Sequence, residues 1–181
     1  FIVSPFLAIP GIIYGIVNNS KISGRLLILI FGLISFMYIP SYSNDRARYF
    51  EIYEDFSQSS FNEVFSFFIL NTQDFILQLL FYFASQFHIS AQLIFAFVTM
   101  YSMSVIFSIY YKIVDSYDIV NIKYGLFSFV LLICSISYLD LLSGTRFMFA
   151  TSFIIQAFYF GILKKKKGGT FDAYHSPIHT F

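Results

Sequence analysis

The feature that most constrains this chain is a set of apolar runs with no polar face. Leu26–Ile39, Ala91–Tyr111 and Phe147–Leu163 contain no Asp, Glu, Lys or Arg, and Tyr124–Leu142 contains one, Asp140. A helix that is apolar around its whole circumference is either enclosed on every side or immersed in lipid. Charged residues make up 12% of the chain, about half the usual ~25% of soluble domains. Hydrophobic residues make up 57%, and the mean hydropathy is +0.72. The fold class expected from this pattern is all-α, a polytopic integral membrane helix bundle.

The chain divides into residues 1–167, expected to be one transmembrane helical domain, and residues 168–181, a polar end. Phe1–Val17 is apolar, with Pro5 and Pro10 inside it, and reads as the end of a first span, followed by a polar turn, Asn18 to Arg25, carrying Lys21 and Arg25. Leu26–Ile39 reads as the second span, stopped by Pro40. Full spans are expected over Ala91–Tyr111, Tyr124–Leu142 and Phe147–Leu163. Phe75–Phe87 has 13 residues, roughly 20 Å of helix against a core of ~30 Å. It therefore reads as re-entrant or tucked against its neighbours. Residues 41–74 are the least apolar stretch and read as an outer loop. Within it Phe61, Val64, Phe65 and Phe68 recur at i, i+3, i+4 and i+7, which predicts an amphipathic helix in the membrane surface. Both ends of the chain look cut, and no cleaved signal peptide is read at Phe1.

Cations set the expected topology. With Lys21, Arg25, Lys112, Lys123 and Lys164–Lys167 in the cytoplasm, residues 45–48 and 143–146 both lie outside, provided that Phe75–Phe87 does not cross. A net charge of +1 and the lack of a basic stripe argue against a nucleic-acid partner. Cys134 is the only cysteine, which leaves no disulfide framework and no cysteine metal site. His175 and His179 are four apart, but Pro177 between them disfavours the helix that would pair them. No metal site and no cofactor are expected.

Two clusters could carry chemistry. The first, Ser41-Tyr42-Ser43-Asn44-Asp45-Arg46-Ala47-Arg48-Tyr49-Phe50-Glu51-Ile52-Tyr53, begins right after a span ends. On a helix Asp45, Arg48, Tyr49 and Ile52 share a face, as do Arg46, Tyr49 and Tyr53. Guanidinium forks match phosphate oxygens, and tyrosines offer sugars an apolar face and a hydroxyl. The same residues also fit a plain helix-end belt, with tyrosines at headgroup level and arginines on lipid phosphate. The second cluster, Ser143-Gly144-Thr145-Arg146, opens an apolar helix. A cation beside helix N-terminal amides makes an anion site; a snorkelling arginine is the plainer alternative.

The first cluster resembles the ND-x-x-RY-x-x-x-Y segment of EpsG-type and Wzy-type polysaccharide polymerases. Ser143-Gly144-Thr145-Arg146-Phe147-Met148-Phe149-Ala150 resembles their SG-x-R-x-x-x-A segment. Lys164–Lys167 and Ile178-His179 resemble the continuation. Family members are about twice as long, and 168–177 is too polar for the span expected there.

The resemblance implies a multi-pass protein of the bacterial inner membrane. It would transfer a glycan from undecaprenyl diphosphate to a hydroxyl of the next lipid-linked repeat unit, without a nucleotide sugar. It implies Asp45 and Arg146 as catalytic residues. Arg46, Arg48, Tyr49, Tyr53, Ser143 and His179 are implied in substrate binding. The implied partners are the lipid-linked oligosaccharide and membrane lipid, and a chain-length regulator is left open. A transporter or flippase of lipid-linked glycans and a non-catalytic assembly protein are the alternative readings.

Overall fold

A computed structural model describes residues 8–40, 44–71, 75–116, 122–136 and 144–163. Among them every regular element is helical, as the sequence predicts. In chain order these are α1 (Ile9–Val17), α2 (Lys21–Met37), α3 (Asp45–Gln58), α4 (Phe61–Asn71), α5 (Phe75–Gln86), α6 (Ala91–Ser116), α7 (Ile122–Ser135) and α8 (Thr145–Phe158). A π-helical segment, Tyr159–Leu163, continues α8.

Local chemistry sets several of these boundaries. Asn19 adopts a left-handed conformation with φ of 61°, a conformation asparagine tolerates, and turns α1 back onto α2. The Ser20 hydroxyl then caps α2 by accepting from the Ser23 amide at 3.4 Å. Helix α2 stops at Met37, Tyr38 is extended, and Pro40 disfavours helical geometry at Ile39, so the helix does not resume. Ser60 and Glu63 form the entry to α4, where the Ser60 amide donates to Glu63 Oε2 at 2.8 Å.

Helix α6 is the axis of the assembly. It packs most extensively on α2, then on α8. Glycines permit the close approach to α2. A Cβ on Gly32 would sit 2.5 Å from Met100 Cγ, and one on Gly24 would sit 2.5 Å from the Tyr111 hydroxyl. Gly24 meets Tyr111 and Gly32 meets Met100, so α2 and α6 run antiparallel. Ser102 Oγ donates to the Met148 carbonyl at 3.4 Å, and Lys112 Nζ lies 5.0 Å from the Tyr159 ring centre, so α8 runs parallel to α6. The start of α7 meets the end of α1, where a Cβ on Gly125 would be 3.0 Å from the Val17 carbonyl oxygen.

These directions define two ends. One end carries Lys21, Arg25, Lys112 and Asp115. The other carries Tyr38, the start of α3, the start of α6, and Gly144–Arg146 at the start of α8. Helix α5 folds back along the first turns of α6, with Phe81 and Phe95 ring centres 5.1 Å apart. It does not run the length of α6. The segment read as an outer loop is helical in its described parts, as α3 and α4. Val64 is buried in α4, whereas Phe61 and Phe65 are exposed.

Two cores result. The larger joins α1, α2, the second half of α6, and α7, around Ile16, Ile30, Met103 and Phe107. The smaller joins α3, α4, α5 and the start of α6, around Tyr49, Phe56, Phe81 and Phe95, and includes Phe149 of α8. Outside them large apolar side chains remain exposed along α2 (Leu29, Leu33), α7 (Phe127, Leu131) and α8 (Phe147, Ile154). Among the described residues one helix, over Ala91–Asp115, is long and apolar enough to cross a membrane, with mean hydropathy 1.9. Helix α2 has 17 residues, and α7 and α8 have 14 each. Part of the run expected as the fourth full span, 137–142, lies outside the described residues, as do 164–181.

Candidate functional site

The two polar clusters singled out in the sequence stand at the same end of the α2–α6–α8 core. Between them they present exposed cations, a helix N-terminus and a row of aromatic rings.

Helix α3 starts at Asn44, whose side-chain amide donates to the Tyr38 hydroxyl at 2.9 Å and ties the start of α3 to the end of α2. Asp45 occupies the first turn, where the helix dipole favours a carboxylate. Arg46 and Arg48 are separated by about 200° around the helix and have different surroundings. Arg48 is exposed. Arg46 is fully buried. Its Nη2 donates to the Ser35 carbonyl at 2.7 Å and to Ser35 Oγ at 3.3 Å, and Thr99 Oγ1 donates to the same hydroxyl at 2.9 Å.

The Arg46 guanidinium lies 4.1 Å from the centre of the Phe95 ring and 5.4 Å from that of Tyr38. Burial pushes its pKa down to about 10, with Tyr38 opposing the shift; it is charged at neutral pH. Ser35 lies in the last turn of α2, where carbonyls lack intrahelical donors and a cation is favoured. Arg46 therefore closes the end of α2 and locks α2, α3 and α6 together.

The tyrosines are likewise divided between core and rim. Tyr49 is fully buried, stacked on Phe81 with ring centres 5.4 Å apart. Tyr53 is partly exposed, and its hydroxyl donates to the Ile89 carbonyl at 2.7 Å. Beside α3 lies a hollow of 360 Å³ lined by Tyr38, Phe50, Glu51, Glu54 and Gln92, among others. The sequence reading gave Glu51 and Glu54 no role. Their i, i+3 spacing on the outer face of α3 was the available signal.

The second cluster is described from Gly144 onward. Gly144 is the N-cap of α8 with no side-chain cap, and its carbonyl accepts from the Met148 amide at 3.1 Å. Thr145 is buried, and Arg146 is exposed in the first turn. Directly after Arg146, Phe147 and Met148 begin an apolar hollow of 640 Å³ between α6, α7 and α8, which extends to Ile113 and Val114 near the other end. Ser143, His179 and Asp140 lie outside the described residues.

The arrangement can hold an anion at exposed arginines and a helix N-terminus, and an apolar chain beside it. Among the described residues no group of His, Cys, Asp and Glu could hold a metal ion. Gln78 is a buried polar residue that sequence reasoning passed over; its Oε1 has no hydrogen-bond partner among the described residues. No family model, no curated protein and no solved structure matches the chain.

Proposed function

We propose that this chain is part of a multi-pass bacterial inner-membrane protein. It joins undecaprenyl-diphosphate-linked oligosaccharide repeat units into a surface polysaccharide. The observation that carries the reading is that residues 44–53 and 144–146 lie at the same end of the helical core, which a single site on one membrane face requires. The apolar side chains exposed on α2, α7 and α8 support the membrane setting, since water-soluble surfaces rarely carry contiguous patches of this kind.

In this reading Arg146 and the α8 amides take the diphosphate leaving group, with Arg48 as the second exposed cation. The isoprenoid tail lies in the apolar hollow that begins at Phe147. The acceptor hydroxyl attacks the anomeric carbon, the bond to the diphosphate oxygen breaks, and the hydroxyl proton passes to a carboxylate that orients the acceptor, Asp45. Arg46 positions α3 rather than touching substrate. Deletion of the full gene, followed by sizing of the surface glycan, tests the reading. A polymerase mutant keeps single repeat units on the surface. Loss of all units would favour a flippase, and a partial shortening an assembly protein.

A further inference from the structure

At the end of the bundle opposite the two polar clusters lies a polar lane with no role in the reaction above. Ser104, Ser108 and Lys112 recur every four residues along α6, so they form one line on its surface. Two hollows share these three residues. The one toward α2, of 370 Å³, is also lined by Lys21, Gly24, Arg25, Tyr111 and Asp115. The one toward α8, of 260 Å³, is also lined by Gln156, Tyr159 and Phe160.

We infer that this lane is a binding site for an anionic phospholipid, with the phosphate at Arg25 and Lys112 and the glycerol esters one to two turns deeper at Ser108 and Ser104. The inference rests on the membrane-spanning reading above. Charge complementarity favours it. Among the described lining residues three cations, Lys21, Arg25 and Lys112, stand beside one carboxylate, Asp115, which Lys21 engages at 3.3 Å and Asn19 Nδ2 at 2.7 Å. The described lining thus carries more cations than carboxylates at the level where a headgroup phosphate sits.

The order of chemistry along α6 matches the order along a diacyl phospholipid. Cations stand at the helix end, hydroxyls follow over about 12 Å, and the flanking residues Val105, Ile109 and Ile28 are apolar. Lys112 is placed over the rings of Tyr159 and Phe160, at 5.0 and 5.5 Å. Those rings belong to the π-helical segment, an irregularity that often marks functional positions. Gly24 lets the Tyr111 ring close the floor of the lane, since a Cβ there would strike that ring.

The test uses the chain purified in detergent and native mass spectrometry with phosphatidylglycerol or phosphatidylcholine. Phosphatidylglycerol is expected to stay bound under conditions that strip phosphatidylcholine. The double substitution Arg25→Gln/Lys112→Gln is expected to weaken phosphatidylglycerol binding roughly thirty-fold, at about tenfold or less per cation. Arg25→Lys/Lys112→Arg is expected to preserve it, and helix content by circular dichroism checks that each variant folds. Equal retention of the two lipids, or unchanged binding in the Gln variant, overturns the inference. Displacement of phosphatidylglycerol by excess inorganic phosphate also overturns it and assigns the lane to a free anion. Extraction of the chain from membranes by alkaline carbonate would remove the membrane reading itself and this inference with it. Membrane retention without lipid preference removes only the inference.

Discussion

Replacing Arg46 separates a structural strut from a substrate contact. Arg46→Ala deletes two hydrogen bonds from a charged donor to Ser35 and a cation held 4.1 Å from the Phe95 ring centre. Hydrogen bonds to charged groups contribute about 1.5–3 kcal/mol, and a desolvated cation–π contact about 2 kcal/mol. The end of α2 adds about 1 kcal/mol for a cation at its carbonyls. Against these stands the cost of taking a guanidinium out of water, several kcal/mol. Removal also leaves Ser35 partly satisfied, because Thr99 still donates to its hydroxyl and the Tyr38 amide lies 3.4 Å from its carbonyl oxygen. The void left by the side chain tips the balance, and the expected net loss is about 2–4 kcal/mol. Arg46→Met refills most of that volume and should recover about 1 kcal/mol. Thermal unfolding of the detergent-solubilised chain measures these losses, with Arg48→Ala as the exposed control, expected within about 0.5 kcal/mol of the parent. An Arg46→Ala variant as stable as Arg48→Ala would refute the strut.

Four further outcomes are expected. Gln78→Met removes a buried amide oxygen with no partner among the described residues and should raise the unfolding midpoint, by about 1–2 kcal/mol in stability; a fall would mean the amide is satisfied in the folded protein. Gly32→Leu drives a side chain into Met100 and should cost about 1–3 kcal/mol or part α2 from α6, read as loss of a disulfide engineered between the two helices. The Ser60 amide holds the Glu63 carboxyl below its ordinary value of 4.5, so this contact stabilises the entry to α4 above that value and is lost as pH falls through the lowered one. The protection of the Ser60 amide, its exchange relative to the intrinsic rate at each pH, should fall in that acid window and hold at neutral pH. Arg146→Lys keeps the charge but loses the fork; it should stop polymerisation with normal protein level in the membrane, and normal glycan length would remove Arg146 from the site.

Much of the helical layout was legible because apolar runs and their stops are local. Pro40 announces the end of α2, and the 61, 64, 65, 68 spacing announces α4. Helix α2 begins earlier than its apolar run, at Lys21, because Ser20 caps it and the Lys21 and Arg25 side chains reach outward from helical positions. The sequence reading put the two clusters on one face from the cations, on condition that Phe75–Phe87 does not cross; α5 in the structure has 12 residues. The burial of Arg46 was not legible in its partners. Ser35 lies 11 residues away, and Ser35 and Thr99 are 64 apart. Only the angular separation of Arg46 from Arg48 hinted that the pair would divide. Tyr49 misled for a similar reason: a tyrosine beside a polar cluster reads as an interface residue until Phe81 and Phe95 close over it.

Single-cysteine labelling of the full gene product, after Cys134→Ser, tests most directly whether the two clusters share one membrane face. Cysteines introduced at Ser43, Arg48 and Arg146 should react with an impermeant maleimide added outside intact cells. Cysteines at Lys21 and Lys112 should react only after the membrane is opened. Labelling of Arg48 and Arg146 positions from opposite sides would contradict a single site and remove the basis for the proposed polymerase.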